Sequence, residues 1–148
     1  MPTHSENRKL PYSAKQMYLL VADVEKYTEF LPWCSAARVR SRILKKEYEL
    51  LEVDLVISFK VFREKFGSRV CLHQKLQKIE TVYIDGPFKH MRSEWSFEDT
   101  AEGCIINFYV DFEFKNALLQ KIIGVVFNEA MQRIVRAFEK RAEHLFGT

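Results

Sequence analysis

From about residue 36 to residue 115 apolar and polar side chains alternate with a period of two, and from residue 116 onward the period lengthens to that of a helix. A two-residue period places alternate side chains on opposite faces of a strand, so this stretch must form a sheet with one apolar face. Val53, Leu55, Ile57 and Phe59 alternate with Glu52, Asp54, Val56 and Ser58, and Phe66, Ser68, Val70 and Leu72 oppose Arg69 and His73. Met91, Trp95 and Phe97 alternate with Arg92, Glu94 and Glu98. Ile106, Phe108, Val110, Phe112 and Phe114 alternate with Asn107, Tyr109, Asp111, Glu113 and Lys115. Tyr48 and Leu50 carry the opposite phase to Val53, which predicts a β-bulge at Leu50–Leu51. Short connections, including Asp85-Gly86-Pro87 and a loop at Gly103, make the run antiparallel. Such a sheet needs a cover for its apolar face.

The closing segment supplies that cover. Asn116 is placed to cap a helix running to about Phe146, roughly 45 Å long at 1.5 Å per residue. Leu119, Ile123, Val126, Phe127, Ala130, Met131, Ile134, Phe138, Ala142 and Leu145 form its apolar stripe, and Gly147 is a natural stop. Ahead of the sheet, residues 3–10 read as a short strand. Ser13 and Gln16 have capping-box spacing, with Tyr12 and Met17 at the staple positions. Asp23 can cap a second short helix that Pro32 must stop. The order is therefore strand, two helices, six strands and one long helix, in one domain spanning 1–148, as the length also suggests.

The 12 Phe, 6 Tyr and 2 Trp either fill the space between sheet and helix or line a pocket in it. Pattern alone leaves both open. A net charge of +3 is too small to argue for DNA or another nucleic acid. Cys34, Cys71 and Cys104 are too far apart for a redox pair or a zinc knuckle, and their odd number suits a reducing cytoplasm. Residues 1–10 lack a signal core, and no run approaches the roughly 18 apolar residues of a membrane span.

Chemistry-bearing patterns are sparse. Cys71 and His73 share a strand face without a third ligand in pattern, so no metal is expected. Asp111 and Glu113 share a face beside Lys115, where solvent is the simpler reading than acid–base work. Arg38, Arg40 and Arg42 form a basic row, and Arg133, Arg136 and Lys140 a second on the last helix. Either could meet anionic lipid or RNA, although both also read as solvated faces.

Several short runs together resemble a known family. They are Val21-Ala22-Asp23-Val24-Glu25-Lys26-Tyr27, Phe30-Leu31-Pro32-Trp33-Cys34, Gly67-Ser68-Arg69-Val70, Asp85-Gly86-Pro87-Phe88 and Ala137-Phe138-Glu139-Lys140-Arg141-Ala142. In this order and spacing they resemble the coenzyme-Q-binding START-like family, also described as polyketide cyclase/dehydrase-like, to which a bacterial ribosome-association toxin is assigned. The resemblance implies an α+β helix-grip fold, a seven-stranded antiparallel curved sheet around a long C-terminal helix. It implies a non-enzymatic carrier or chaperone that holds ubiquinone or another isoprenoid lipid in an apolar tunnel and supports respiratory electron transport. Ubiquinone would be a bound ligand and not a catalytic cofactor. Near the end of the third strand the family pattern has a small, glycine-containing turn. This chain reads Val56-Ile57-Ser58-Phe59-Lys60 there, so it departs at the pocket mouth.

The residues expected to contact the ligand are Trp33, Phe59, Val70, Phe88, Trp95, Phe97, Phe108, Val110, Phe112, Phe127, Met131 and Ile134. Val53, Leu55 and Ile57 should face the same space. A gate is expected where Phe30-Leu31-Pro32-Trp33 meets Gly86-Pro87-Phe88 and the helix near Gly124. No catalytic residues are expected. The expected location is the cytoplasm, with transient contact to an anionic inner-membrane surface. Two alternatives stand beside the carrier: a ribosome-binding protein, and a cyclase- or dehydratase-like enzyme, which would need a buried polar pair in the cavity.

Overall fold

The computed structural model describes residues 3–59 and 62–147, with the side chains of Phe59 and Phe62 outside the described residues. Strand β1 (Thr3–Leu10) leads into helix α1 (Ala14–Ala22) and a 3-10 turn (Val24–Glu29). Six strands follow: β2 (Cys34–Leu44), β3 (Glu49–Phe59), β4 (Phe62–His73), β5 (Lys78–Asp85), β6 (Phe88–Thr100) and β7 (Gly103–Phe114). Helix α2 (Ala117–Phe146) ends the fold. The sheet order is β1-β7-β6-β5-β4-β3-β2, antiparallel throughout, and it curves around α2 as a helix-grip.

Local chemistry sets the element ends. The Ser13 hydroxyl accepts from Gln16 N at 3.1 Å, and Ser13 N donates to the Gln16 side chain at 2.9 Å, completing the capping box. Asp99 accepts from Ala14 N at 2.9 Å and ties α1 to the β6–β7 hairpin. Asn116 accepts from Leu119 N at 3.0 Å, and Gln120 reaches back to Phe114 N at 2.7 Å, fixing the angle at which α2 leaves the sheet. Asp23 occupies the cap position of the 3-10 turn, but its side chain makes no cap hydrogen bond, and the turn ends at Glu29, ahead of Pro32.

The expected bulge at Leu50–Leu51 is corrected. β3 pairs with β4 without a break from Glu49 to Phe59, and Leu51 and Val53 are both fully buried on the concave face. Tyr48 and Leu50 belong to the convex face, where the Tyr48 ring packs on His73 at 5.4 Å. β2 carries the irregularities instead, one between Cys34 and Ala36 and one where Val39 pairs with Val53 and Ser41 with Glu52, leaving Arg40 as the extra residue. That bulge splits the arginine row. Arg38 registers with Asp54 on the convex face, whereas Arg42 registers with Leu51 and pairs with Glu49 at 3.3 Å. Arg40 lies across the outer face to Asp54 at 3.1 Å, over Gly67, where a Cβ would collide with its guanidinium and with the Asp85 carboxylate.

Helix α2 buries Leu119, Ile123, Phe127, Ala130, Met131, Val135, Phe138 and Ala142, spaced by three and four residues. Val135 replaces Leu145 in the expected stripe, since Leu145 is exposed. The helix is held most firmly along the β1–β7–β6 side. Phe127 packs on Phe112 at 5.1 Å, Phe138 on Trp95 at 5.0 Å, and Arg8 of β1 pairs with Glu139 at 2.8 Å.

Candidate functional site

Between α2 and the β3–β7 part of the concave face lies a cavity of about 250 Å3. Its floor follows from strand register. One transverse row runs Val110, Ser93, Thr81, Val70, and the neighbouring row pairs Ser68 with Val53. Aromatic side chains wall one end: Phe88 stacks on Phe114 at 4.6 Å and meets Phe66, Tyr83 and Phe112 edge-on at 5.1–5.4 Å. At the opposite end Trp95 is followed by Phe97, which is covered by Tyr18 of α1 at 5.9 Å. The roof is Ile123, Ala130, Met131, Ile134 and Phe138, and the side toward β2 is closed by Tyr27, Leu31, Pro32, Trp33 and Cys34.

Nine of the twelve anticipated contact residues line this space: Trp33, Val70, Phe88, Trp95, Phe108, Val110, Phe112, Met131 and Ile134, together with Val53, Leu55 and Ile57. Two do not join them, and a third cannot be placed. Phe97 has the right strand parity but sits beneath α1. Phe127 points from α2 toward β1 and β7, against Phe112 and His4, on the packed side of the helix. Phe59 closes β3, and its side chain lies outside the described residues. Parity and helical stripe identify a face, but they do not show where along that face packing stops. Met91 and Ser68, already on the inward parity of their strands, also line the cavity, as do Thr81 and Ser93, which were missed because polar residues at inward positions read as interruptions of the apolar pattern.

The gate residues separate in the same way. Trp33 is half-buried and adopts φ 65°, a left-handed backbone that a bulky residue rarely takes, and its carbonyl accepts from Ser58 N at 2.8 Å. Phe88, by contrast, is buried within four aromatic contacts and anchors the wall rather than plugging it. Among the described residues nothing lies within 4 Å of a Cβ added at Gly124, so none of them approaches the helix closely there. Pro87 borders a smaller cleft with Phe114, Leu119 and Ile123 beside the cavity.

Electrostatically the cavity is bland. No Asp, Glu, Lys, Arg or His lines it among the described residues. The Tyr27 phenol donates to the Val21 carbonyl, and burial pushes its pKa well above the usual range. Burial also raises the Cys34 thiol, with only partial relief from its hydrogen bond to the Ala36 carbonyl. Neither group is poised as a base near neutral pH. The Cys71 thiol is likewise raised by burial, and Asp111 and Glu113 are engaged on the convex face by His90 and Lys89, each at 3.1 Å. A shallower depression of about 380 Å3 among Ser5, Asn7, Glu94, Ser96 and Asn107 is mostly polar and offers little apolar wall.

A family model described as polyketide cyclase / dehydrase and lipid transport matches residues 10–139. The ribosome association toxin RatA of Rickettsia prowazekii is 36% identical over 98% of this chain and 99% of its own length. The mitochondrial coenzyme Q-binding protein COQ10 homolog B of Xenopus laevis is 34% identical over 97% of this chain, which spans 59% of that protein. The solution structure of the 18 kDa protein CC1736 from Caulobacter crescentus superposes with a TM-score of 0.84 at 29% identity, covering all of both chains.

Proposed function

The chain belongs to the polyketide cyclase/dehydrase and lipid-transport family, and from that membership we propose that it is a non-enzymatic carrier for a hydrophobic ligand, with ubiquinone as the leading candidate. The observation that carries this reading is the apolar cavity beneath α2, lined by side chains from five strands, the helix and the Leu31–Cys34 segment. Its volume is just under the common range of roughly 300–1,000 Å3 for small-molecule sites. Each CH2 taken from water into it contributes about 0.8 kcal/mol, so a short isoprenoid stretch suffices for useful affinity. The relative named as coenzyme Q-binding supports a quinone, and such a carrier would serve respiratory electron transport from the cytoplasmic side of a membrane. The absence of a base or acid among the described lining residues argues against cyclase or dehydratase chemistry here.

Loading requires contact with a bilayer. The first half of α2 presents Leu118 and Val125, 61% and 83% exposed, on the helix that roofs the cavity. Lys115 and Lys121 flank them, without ion pairs among the described residues. This face suits an anionic membrane better than the split arginine row does. Protein incubated with quinone-containing anionic vesicles should extract quinone into the soluble fraction. Leu118→Glu with Val125→Glu should reduce vesicle binding several-fold without lowering the denaturation midpoint. A protein that takes up no quinone or isoprenoid lipid from either vesicles or detergent is not a carrier.

The full-length likeness to a ribosome association toxin supports a second reading, binding to the ribosome. Salt-sensitive co-sedimentation with ribosomal particles, with loss of 70S particles on adding protein, would favour it over the carrier.

A further inference from the structure

Ser68, Thr81 and Ser93 lie together on the floor of the apolar cavity, and none of their side chains hydrogen-bonds another described residue. Ser68 is only 1% exposed, yet it is not a sealed, unsatisfied polar group, so its oxygen opens into the cavity. Thr81 and Ser93 are direct partners across β5 and β6, which places their Cβ atoms about 4.5–5.5 Å apart. Ser68 lies diagonal to Thr81 through the Val70–Thr81 pair, at about 7–8 Å. Three hydroxyls thus share one inward face of adjacent strands β4, β5 and β6. Alanine or valine would pack such a floor without turning hydroxyls toward an otherwise apolar space.

We propose that these three hydroxyls form a subsite for the polar head of the ligand, donating hydrogen bonds to its oxygen atoms. The inference rests on the carrier reading and narrows it in two ways. First, the head must be neutral. No cationic side chain lines the cavity among the described residues, so a carboxylate or phosphate would be buried without a partner. The subsite therefore selects oxygenated neutral lipids, such as a quinone with its ring carbonyls, and rejects ionised fatty acids and phospholipids. Second, the ligand lies head-inward. Ser68 sits two residues along β4 from Phe66 of the aromatic end, and Thr81 and Ser93 occupy the next row, on the way to the Trp95 end. At about 3.3 Å per residue the hydroxyls are roughly 7 and 13 Å in from the Phe66 row. The tail then runs back over Phe66, alongside the wall that Phe88 anchors, toward the Trp33 side.

The test compares two probes on the intact protein: a ubiquinone carrying one isoprene unit, and a prenylated benzene of similar size without ring oxygens. Both are titrated calorimetrically. Thr81→Val with Ser93→Ala should weaken the quinone about tenfold, the effect of losing one or two hydrogen bonds, and leave the oxygen-free probe unchanged or tighter. Ser68→Ala should act in the same direction. Because these substitutions remove polar groups without protein partners, the denaturation midpoints should hold or rise. Equal losses for both probes, no loss for the quinone, or a clear drop in midpoint would overturn the subsite while leaving the carrier standing. Failure of the wild-type protein to bind either probe would instead remove the carrier reading, and the subsite with it.

Discussion

Trp33 is the residue at which stability and function separate. A bulky side chain at φ 65° costs about 1–2 kcal/mol relative to an ordinary backbone, and here the conformation is held by the Ser58 N to Trp33 carbonyl bond. A purely structural Trp would lose about 3–5 kcal/mol on truncation to Ala. A side chain that closes the β2 side of the cavity predicts otherwise: Trp33→Ala should shift the denaturation midpoint little and raise the rate of quinone transfer. Trp33→Gly should be about 1 kcal/mol more stable than Trp33→Ala, because glycine adopts the left-handed backbone freely. Transfer kinetics unchanged in both variants, with a large loss of stability, would return Trp33 to the core. The sequence showed that Trp33 lies in a loop after a short helix, but its backbone conformation has no signature in residue type. The same limit explains the inward hydroxyls: Ser68 was placed on the correct face by its parity, but parity says nothing about whether a partner awaits it there.

Edge strand β1 is attached to α2 by a polar clamp rather than by apolar packing alone. Glu6 accepts from His4 at 2.8 Å and from Arg8, Arg8 reaches Glu139 at 2.8 Å, and His4 faces Asn128 at 3.4 Å. Burial pushes the Glu6 carboxyl up, but the hydrogen bonds and charges of His4 and Arg8 outweigh it and hold the pKa below its ordinary 4.5. A lowered carboxylate pKa stabilises the fold above the unfolded value, and that contribution disappears as pH falls through the folded one. Thermal stability should therefore drop below about pH 4.5. Glu6→Gln should cost about 1–2 kcal/mol at pH 7 and progressively less in acid, as seen by calorimetry across pH. An equal penalty at pH 7 and pH 3 would show that shape, not charge, holds the clamp. The elements themselves were legible in the sequence because two-residue and helical periods are long and clean here. The bulge was not. Tyr48 and Leu50 are apolar on the convex face, where they meet the β4 residues His73 and Cys71, and apolar outer residues imitate a phase change.

At the scale of the molecule, the helix grips one side of the sheet and leaves space on the other, and that asymmetry sets how much ligand fits. Phe127, Phe138 and Glu139 hold α2 to β1, β6 and β7, whereas toward β3, β4 and β5 the cavity itself intervenes. A volume of about 250 Å3 accommodates a quinone ring and part of a chain, but not a long polyisoprenoid. Affinity should therefore climb steeply over the first one or two isoprene units, each buried CH2 adding about 0.8 kcal/mol, and then flatten as further units remain outside. Titrating ubiquinones of increasing tail length by quenching of tryptophan fluorescence measures this, because Trp33 and Trp95 both border the cavity. A plateau after the second unit identifies a head-binding pocket whose ligand tail stays with the membrane or with the exposed Leu118–Val125 face of α2. A rise that continues to long tails would mean that the roof lifts. Its contacts on the β1 side must then act as a hinge, and Glu6→Gln, which loosens that side, should change long-tail affinity more than short-tail affinity. With a rigid roof, the same substitution should leave the two in constant ratio.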